Sequence, residues 1–206
     1  MSAEVISSKK AMQRLRDGNA RFVAGETDRV AVEHEARRKK TVTKQSPFAI
    51  VLGCSDSRVP VELVFDQGVG DLFVVRVAGN IAARSQIGSI EFAAKNFGVR
   101  LIVVLGHSRC GAIEAVVDEL RKPSVLQSDN LDFIVDKIRP SVEQIMAEGY
   151  GHDPDMLVAE VGRENVRRSM NALQQDSKII SELLEHDDLI IVGAEYSLQT
   201  GVVEFF

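Results

Sequence analysis

Three short apolar runs divide the chain: Phe48–Leu52, Leu101–Leu105 and Leu189–Val192. Runs of this length, rich in Val, Ile and Leu, suit strands buried on both faces. With their flanking residues they predict strands over Phe48–Gly53, Leu101–Gly106 and Leu189–Ala194. Asp71–Val77 (Asp-Leu-Phe-Val-Val-Arg-Val) is a further strand. Val202–Phe206 is an edge-like last strand after a turn at Gln199-Thr200-Gly201.

Between the strands the apolar positions recur at helical spacing. Residues 8–24 place Met12, Leu15, Asn19 and Phe22 on one stripe, interrupted by Gly18 and stopped by Gly25. Ser85–Asn96 lines up Ile87, Ile90, Glu91, Ala94 and Phe97, with Gly98 as its stop. Val59–Phe65 is a short helix starting at Pro60, and Arg109–Lys122 is a helix ended by Pro123. Asn130–Ala147 is helical, with Pro140 as a break or a new start. Asp153–Leu184 is one long helix or two shorter ones, capped by Asp153-Pro154. A stretch over Val30–Thr43 is helical but highly charged, with too little apolar surface for a core helix.

Strands alternating with helices imply an α/β fold: a mostly parallel central sheet, order about 2-1-3-4-5, flanked by helices. No repeat or linker interrupts it. The organisation expected is a single domain over residues 45–206 with an N-terminal helical arm over residues 1–44.

Composition narrows the class. Hydrophobic residues make up 45% of 206, a normal globular share. No apolar run is long enough to span a bilayer. The start, Met1-Ser2-Ala3-Glu4, shows no basic segment leading into an apolar core, so a cytoplasmic location is expected. Formal net charge is −5, unevenly spread. Residues 1–50 carry 11 Lys+Arg against 6 Asp+Glu, and the remainder 14 against 24. A basic first quarter can signal nucleic acid, but only Phe22 and Phe48 are there to stack on bases. The expectation is an arm that packs on an acidic body, its own or a partner's, with no nucleic acid and no membrane as partner.

The chain has two cysteines, Cys54 and Cys110, and each directly follows a strand or lies just past one. They could form a disulfide; without a secretory signal a thiol pair is more often metal-binding or catalytic. Gly106-His107-Ser108-Arg109-Cys110-Gly111 follows the Leu101–Leu105 run, and Gly53-Cys54-Ser55-Asp56-Ser57-Arg58 follows Phe48–Leu52. In an open parallel sheet both segments leave the carboxyl edge at the point where strand order reverses. Cys54, His107 and Cys110 are then three soft and borderline ligands suited to Zn2+, with a fourth position left open. Cys110 also precedes a helix, whose N-terminal dipole favours a thiolate.

These two motifs resemble those of the β-class carbonic anhydrases: Cys54-Ser55-Asp56-Ser57-Arg58-Val59-Pro60 and Gly106-His107-Ser108-Arg109-Cys110-Gly111. Phe73-Val74-Val75-Arg76, Ala78-Gly79-Asn80, Ser89-Ile90-Glu91-Phe92-Ala93 and Gly18-Asn19-Arg21-Phe22 extend the likeness, which is weakest across 121–185. The resemblance implies one Zn2+ per subunit and reversible hydration of CO2 to bicarbonate and a proton by zinc-bound hydroxide. It implies that Asp56 orients that hydroxide, that Arg58 holds Asp56 off the metal, and that Asp56 can itself take the fourth position in a closed state. It implies a substrate pocket from Phe73, Ala78, Phe92 and Gly111, with Gln45 reaching in from a neighbouring subunit. It implies a homodimer or homotetramer, the arm lying on the partner subunit. A regulatory bicarbonate site built from a tryptophan, an arginine and a tyrosine is not expected: Arg76 and Tyr196 match, but Val51 stands at the tryptophan position. Two other classes are weighed, a non-catalytic zinc-stabilised dimer and a related zinc hydrolase of carbon disulfide or carbonyl sulfide. His34, His152 and His186 lie in charged or loop-like contexts and are expected to be solvated.

Overall fold

The computed structural model describes residues 6–27, 35–121, 128–150 and 153–206. The expected start of the Val30–Thr43 helix and the Pro123 helix stop, together with His34 and His152, fall on residues outside these. The elements are α1 (Ser8–Ala24), β1 (Ala49–Gly53), α2 (Val61–Val64), β2 (Leu72–Arg76), α3 (Arg84–Phe97), β3 (Leu101–His107) and α4 (Gly111–Arg121). They continue with α5 (Asp129–Ala147), α6 (Pro154–Gln175), α7 (Lys178–His186), β4 (Ile190–Tyr196) and β5 (Val203–Phe205). Residues 35–40 are also helical.

The strands form one sheet in the order β2-β1-β3-β4-β5. The first four run parallel, and β5 returns antiparallel beside β4. Every residue of β1 and of β3 is buried, as their unbroken apolar runs require. The strand period splits them between two cores. Val51, Val103 and Leu105 pack with Leu15 of α1 and Phe65 after α2, whereas Ile50, Leu52, Ile102 and Val104 pack with α3, α6 and α7. A third cluster, from α4, α5 and α6, closes over the carboxyl edge and includes both cysteines.

Several elements differ from expectation in instructive ways. Pro140 sits inside α5 without ending it. It forgoes one backbone bond, but Ile138, Ser141, Val142 and Ile145 keep one face buried on either side. The long stretch from Asp153 is two helices, parted at Ser177, whose side chain caps α7 by accepting from the Ile180 amide at 3.1 Å. Pro60 is the cap of α2, and the helix proper starts one residue later.

The basic arm rests on its own chain. Arg14 and Arg37 both pair with Asp71, and Arg21 pairs with Asp66, all around the turn between α2 and β2. The Arg14 guanidinium also lies 4.1 Å from the Phe48 ring centroid. Gly18 lets α1 lie flat: a Cβ there would stand 1.8 Å from the Phe65 carbonyl oxygen. Beside it, buried Asn19 donates to the carbonyls of Val64 and Gly201 and accepts from the Val203 amide. One side chain thus ties α1 to α2 and to the β4–β5 hairpin.

Candidate metal centre

β1 and β3 are neighbours, while β2 and β4 lie on their outer sides, so the chain leaves these two strands in opposite directions. The crevice at that reversal is where side chains from both strand ends meet. Cys54 is the first residue after β1, His107 the last of β3, and Cys110 directly precedes α4. Their ligand atoms all lie within 4.8 Å of one another, and the three residues are only 4–5% exposed. The two sulfurs are 3.9 Å apart. Tetrahedral zinc with bonds of about 2.3 Å to sulfur separates its ligand atoms by about 3.8 Å, so the spacing fits.

The histidine supports the same fit. His107 Nδ1 lies 3.0 Å from the Ser108 carbonyl oxygen, an acceptor, so Nδ1 carries the proton. Nε2 is then the bare nitrogen. It is buried, has no hydrogen-bond partner, and faces the two sulfurs. An orphaned ring nitrogen beside two free thiols is the donor set a soft or borderline divalent metal completes.

The surroundings of the two thiols push them in opposite directions. The contact with the Cys110 sulfur pulls Cys54 well below the usual thiol range against the cost of burial. His107 and the peptide N–H groups of Asp56 and Gly79 help. Cys110 is pushed up by the same contact with Cys54 and by burial, although the first amides of α4 at Ala112 and Ile113 act the other way. The helix N-terminus therefore does favour charge on Cys110, but Cys54 has more donors. For His107, burial lowers the pKa, and the Cys54 sulfur, the Ser108 carbonyl and Asp56 together outweigh it.

Asp56 and Arg58 stand at the rim. The Arg58 guanidinium grips the carboxylate at both oxygens, Nε to Oδ1 at 2.9 Å and Nη2 to Oδ2 at 2.7 Å, and the Arg58 amide adds a third bond at 2.9 Å. This pairing holds Asp56 well below the usual carboxylate range despite some burial. Oδ2 nevertheless lies 3.9 Å from His107 Nε2, close enough to face a ligand there but outside the three-atom cluster. Arg58 is braced from behind, its Nη2 donating to the Arg109 carbonyl at 3.0 Å. Arg109 presents that carbonyl from a left-handed conformation, φ 52°.

The remaining expected residues are placed as follows. Ala78 lies in the turn after β2, and Gly111 opens α4 with nothing within 4 Å of where a Cβ would be. Phe73 on β2 packs with Phe92 and Phe97 of α3, and Phe92 is 53% exposed. Gln45 is exposed in the segment before β1. His186 is exposed beside Glu185. Val51 is buried in β1, and Tyr196 packs against Phe22. A cavity of about 280 Å³ opens beside the ligands, lined by His107, Arg109, Cys110, Glu114, Val158 and Glu195.

Arg76 has a part that the sequence did not reveal. Its Nε donates to the Cys54 carbonyl at 2.8 Å and its Nη2 to the Asp56 carbonyl at 2.6 Å. It therefore pins the segment bearing a ligand and the carboxylate. Its acceptors are backbone oxygens, which leave no mark in the residue pattern.

Comparison with known proteins gives one answer. The carbonic anhydrase family model matches residues 49–203. A carbonic anhydrase of Mycolicibacterium smegmatis is 40% identical over 194 residues, 94% of this chain and 91% of that protein. Carbonic anhydrase 2 of Mycobacterium tuberculosis is 37% identical over 193 residues, covering 93% and 89%. Among solved structures, the β-carbonic anhydrase CafA of Aspergillus fumigatus superposes with a TM-score of 0.75 at 25% identity, covering 89% and 88%. The β-carbonic anhydrase CcaA does so with a TM-score of 0.72 at 27% identity, covering 96% and 88%.

Proposed function

The chain belongs to the β-class carbonic anhydrase family, and from that premise we propose that it hydrates CO2 reversibly at a zinc ion held by Cys54, His107 and Cys110. The observation that carries this reading is the buried, partnerless Nε2 of His107 between two thiols, next to a carboxylate already committed to an arginine. Zinc bound there supplies a Lewis acid with one open position, at which water becomes nucleophilic near neutral to alkaline pH.

The chain's own groups do the rest. The Ser108 carbonyl fixes the His107 tautomer so that Nε2 faces the metal. Asp56, ionised by its pairing with Arg58, would accept a hydrogen bond from the attacking oxygen and so aim that oxygen's lone pair at the carbon of CO2. Arg58 keeps that carboxylate from closing on the metal, and the Arg109 carbonyl keeps Arg58 in place. Two thiolates and a neutral imidazole cancel the charge of the metal, so activity rises toward alkaline pH. The open space beside Gly111 and Ala78 takes the linear, apolar substrate. The exposure of Phe92 and Gln45 supports a second copy of the chain covering this side, with the arm against it, in a homodimer or homotetramer. Among the described residues no helix is long and apolar enough to cross a membrane.

Metal analysis of the purified chain with stopped-flow CO2 hydration tests the reading. One zinc per chain and a rate above buffer that climbs with pH are expected. Absence of zinc, or a zinc-loaded protein with no rate from neutral to alkaline pH, overturns it.

A further inference from the structure

The segment that presents Cys54 is held by residues from much later in the chain. Directly after β2, Val77 straddles Cys54: its N–H donates to the Gly53 carbonyl at 3.1 Å, and its carbonyl accepts from the Ser55 amide at 3.2 Å. The next residues, Ala78–Asn80, make a tight turn in which Gly79 (φ 68°) and Asn80 (φ 43°) are both left-handed. This conformation leaves the carbonyls of Gly79 and Asn80 for α6.

On α6, Asn165 Nδ2 donates to the Gly79 carbonyl at 2.7 Å, and Ser169 Oγ donates to the Asn80 carbonyl at 3.0 Å. The two residues are four apart, on one face of the helix, and only 2% and 4% exposed. Two more helices shut the turn in. A Cβ on Gly79 would stand 2.7 Å from Ile138 Cδ1 of α5 and 3.4 Å from Ala112 Cβ of α4.

Buried polar side chains need partners, and that need alone would account for two hydrogen bonds. It does not account for both bonds falling on consecutive carbonyls of the one turn that abuts Cys54. Nor does it account for their holding a non-glycine residue at positive φ, a conformation that persists only where its surroundings fix it. We propose that Asn165 and Ser169 are positioning residues of the metal centre: they grip the Gly79–Asn80 turn and so hold Val77, whose two backbone bonds straddle Cys54, where it fixes the position of the Cys54 sulfur. The inference rests on the reading of Cys54 as a metal ligand. The backbone that carries a ligand sets how its sulfur meets the metal, so the strength of the metal–sulfur bond follows from the grip of α6.

The test compares the full chain with Ser169→Ala, Asn165→Ala and Met170→Ala. Met170 is also on α6 but packs in the cluster beside β4, away from the turn. Zinc affinity is read by competition with a chromophoric chelator, and the thiolate-to-metal charge-transfer band is read on the cobalt-substituted protein. Ser169→Ala and Asn165→Ala are expected to bind zinc roughly 10-fold more weakly and to shift the band. Met170→Ala is expected to lose thermal stability and to keep both metal signatures. Unchanged affinity and band in the first two variants, or the same changes in Met170→Ala, overturn the proposal. Should Asn165→Ala fail to fold, Ser169→Ala, which deletes one hydroxyl, decides alone. A wild-type chain that binds no zinc overturns the proposed function itself; a wild type and variants that all bind equally overturn only the role given to α6.

Discussion

Asp56 shows how one side chain can be both freed for chemistry and restrained. Arg58 takes both carboxylate oxygens, yet Oδ2 still faces His107 Nε2. Asp56→Asn removes the charge that Arg58 grips and, in the proposed mechanism, the carboxylate that aims the nucleophile. It is expected to keep zinc and to lose about 100-fold or more in kcat, read by stopped-flow hydration with metal analysis of the same sample. A variant of full activity contradicts the role of the carboxylate. Glu195 behaves in the opposite sense. Burial raises its pKa, and Arg163 at 2.8 Å only partly offsets this. A carboxyl whose folded pKa is raised contributes stability below its unfolded pKa and loses it as pH rises through the folded value. Glu195→Gln cannot ionise, so its Tm minus that of the wild type should increase from near pH 4.5 upward and then level off. A difference that falls with pH refutes the sign. At this scale the candidate metal site, Cys54, His107 and Cys110, was legible because cysteine and histidine carry their chemistry in the side chain. Arg76 and Arg109 were not, because their working partners, or their working atoms, are backbone oxygens.

α1 illustrates the element scale. Its stripe was readable from periodicity, but the reason for Gly18 was not, since the constraint is the Phe65 carbonyl, distant in sequence. Gly18 looked like a weakness of the helix; it is the site of closest approach. Gly18→Ala would help an isolated helix, yet here it should destabilise by about 1–3 kcal/mol or more, measured by denaturant unfolding. A stabilised variant would show that α1 does not pack as described. α5 teaches a related lesson. Pro140 predicts a break from local rules, and the buried face on both sides overrides it. The division between α6 and α7 carried a local signal, Asp176-Ser177, where a capping residue is available. Ser177 also donates to Glu91 of α3, a contact no local rule supplies.

At the scale of the whole molecule, strand order followed from the alternation of apolar runs with helices, since parallel neighbours need crossovers. The third cluster, over residues 111–161, did not follow, because its helices are amphipathic without stating which face meets which. This cluster encloses both cysteines, so metal and fold should support one another. Chelating the metal is expected to lower Tm by roughly 5 °C or more, and Cys54→Ser should show the low Tm with or without added zinc. Equal Tm for the chelated and loaded wild type would separate the site from the stability of the fold. The hydrogen bonds of Asn19 have a different kind of consequence. The Asn19 side chain of α1 finds two of its partners, the Gly201 carbonyl and the Val203 amide, 182 and 184 residues further along the chain. Until Gly201 and Val203 have emerged from the exit tunnel this clasp stays open, so α1 waits for the β4–β5 hairpin before it can be fastened. Disrupting the β4–β5 hairpin therefore loosens α1.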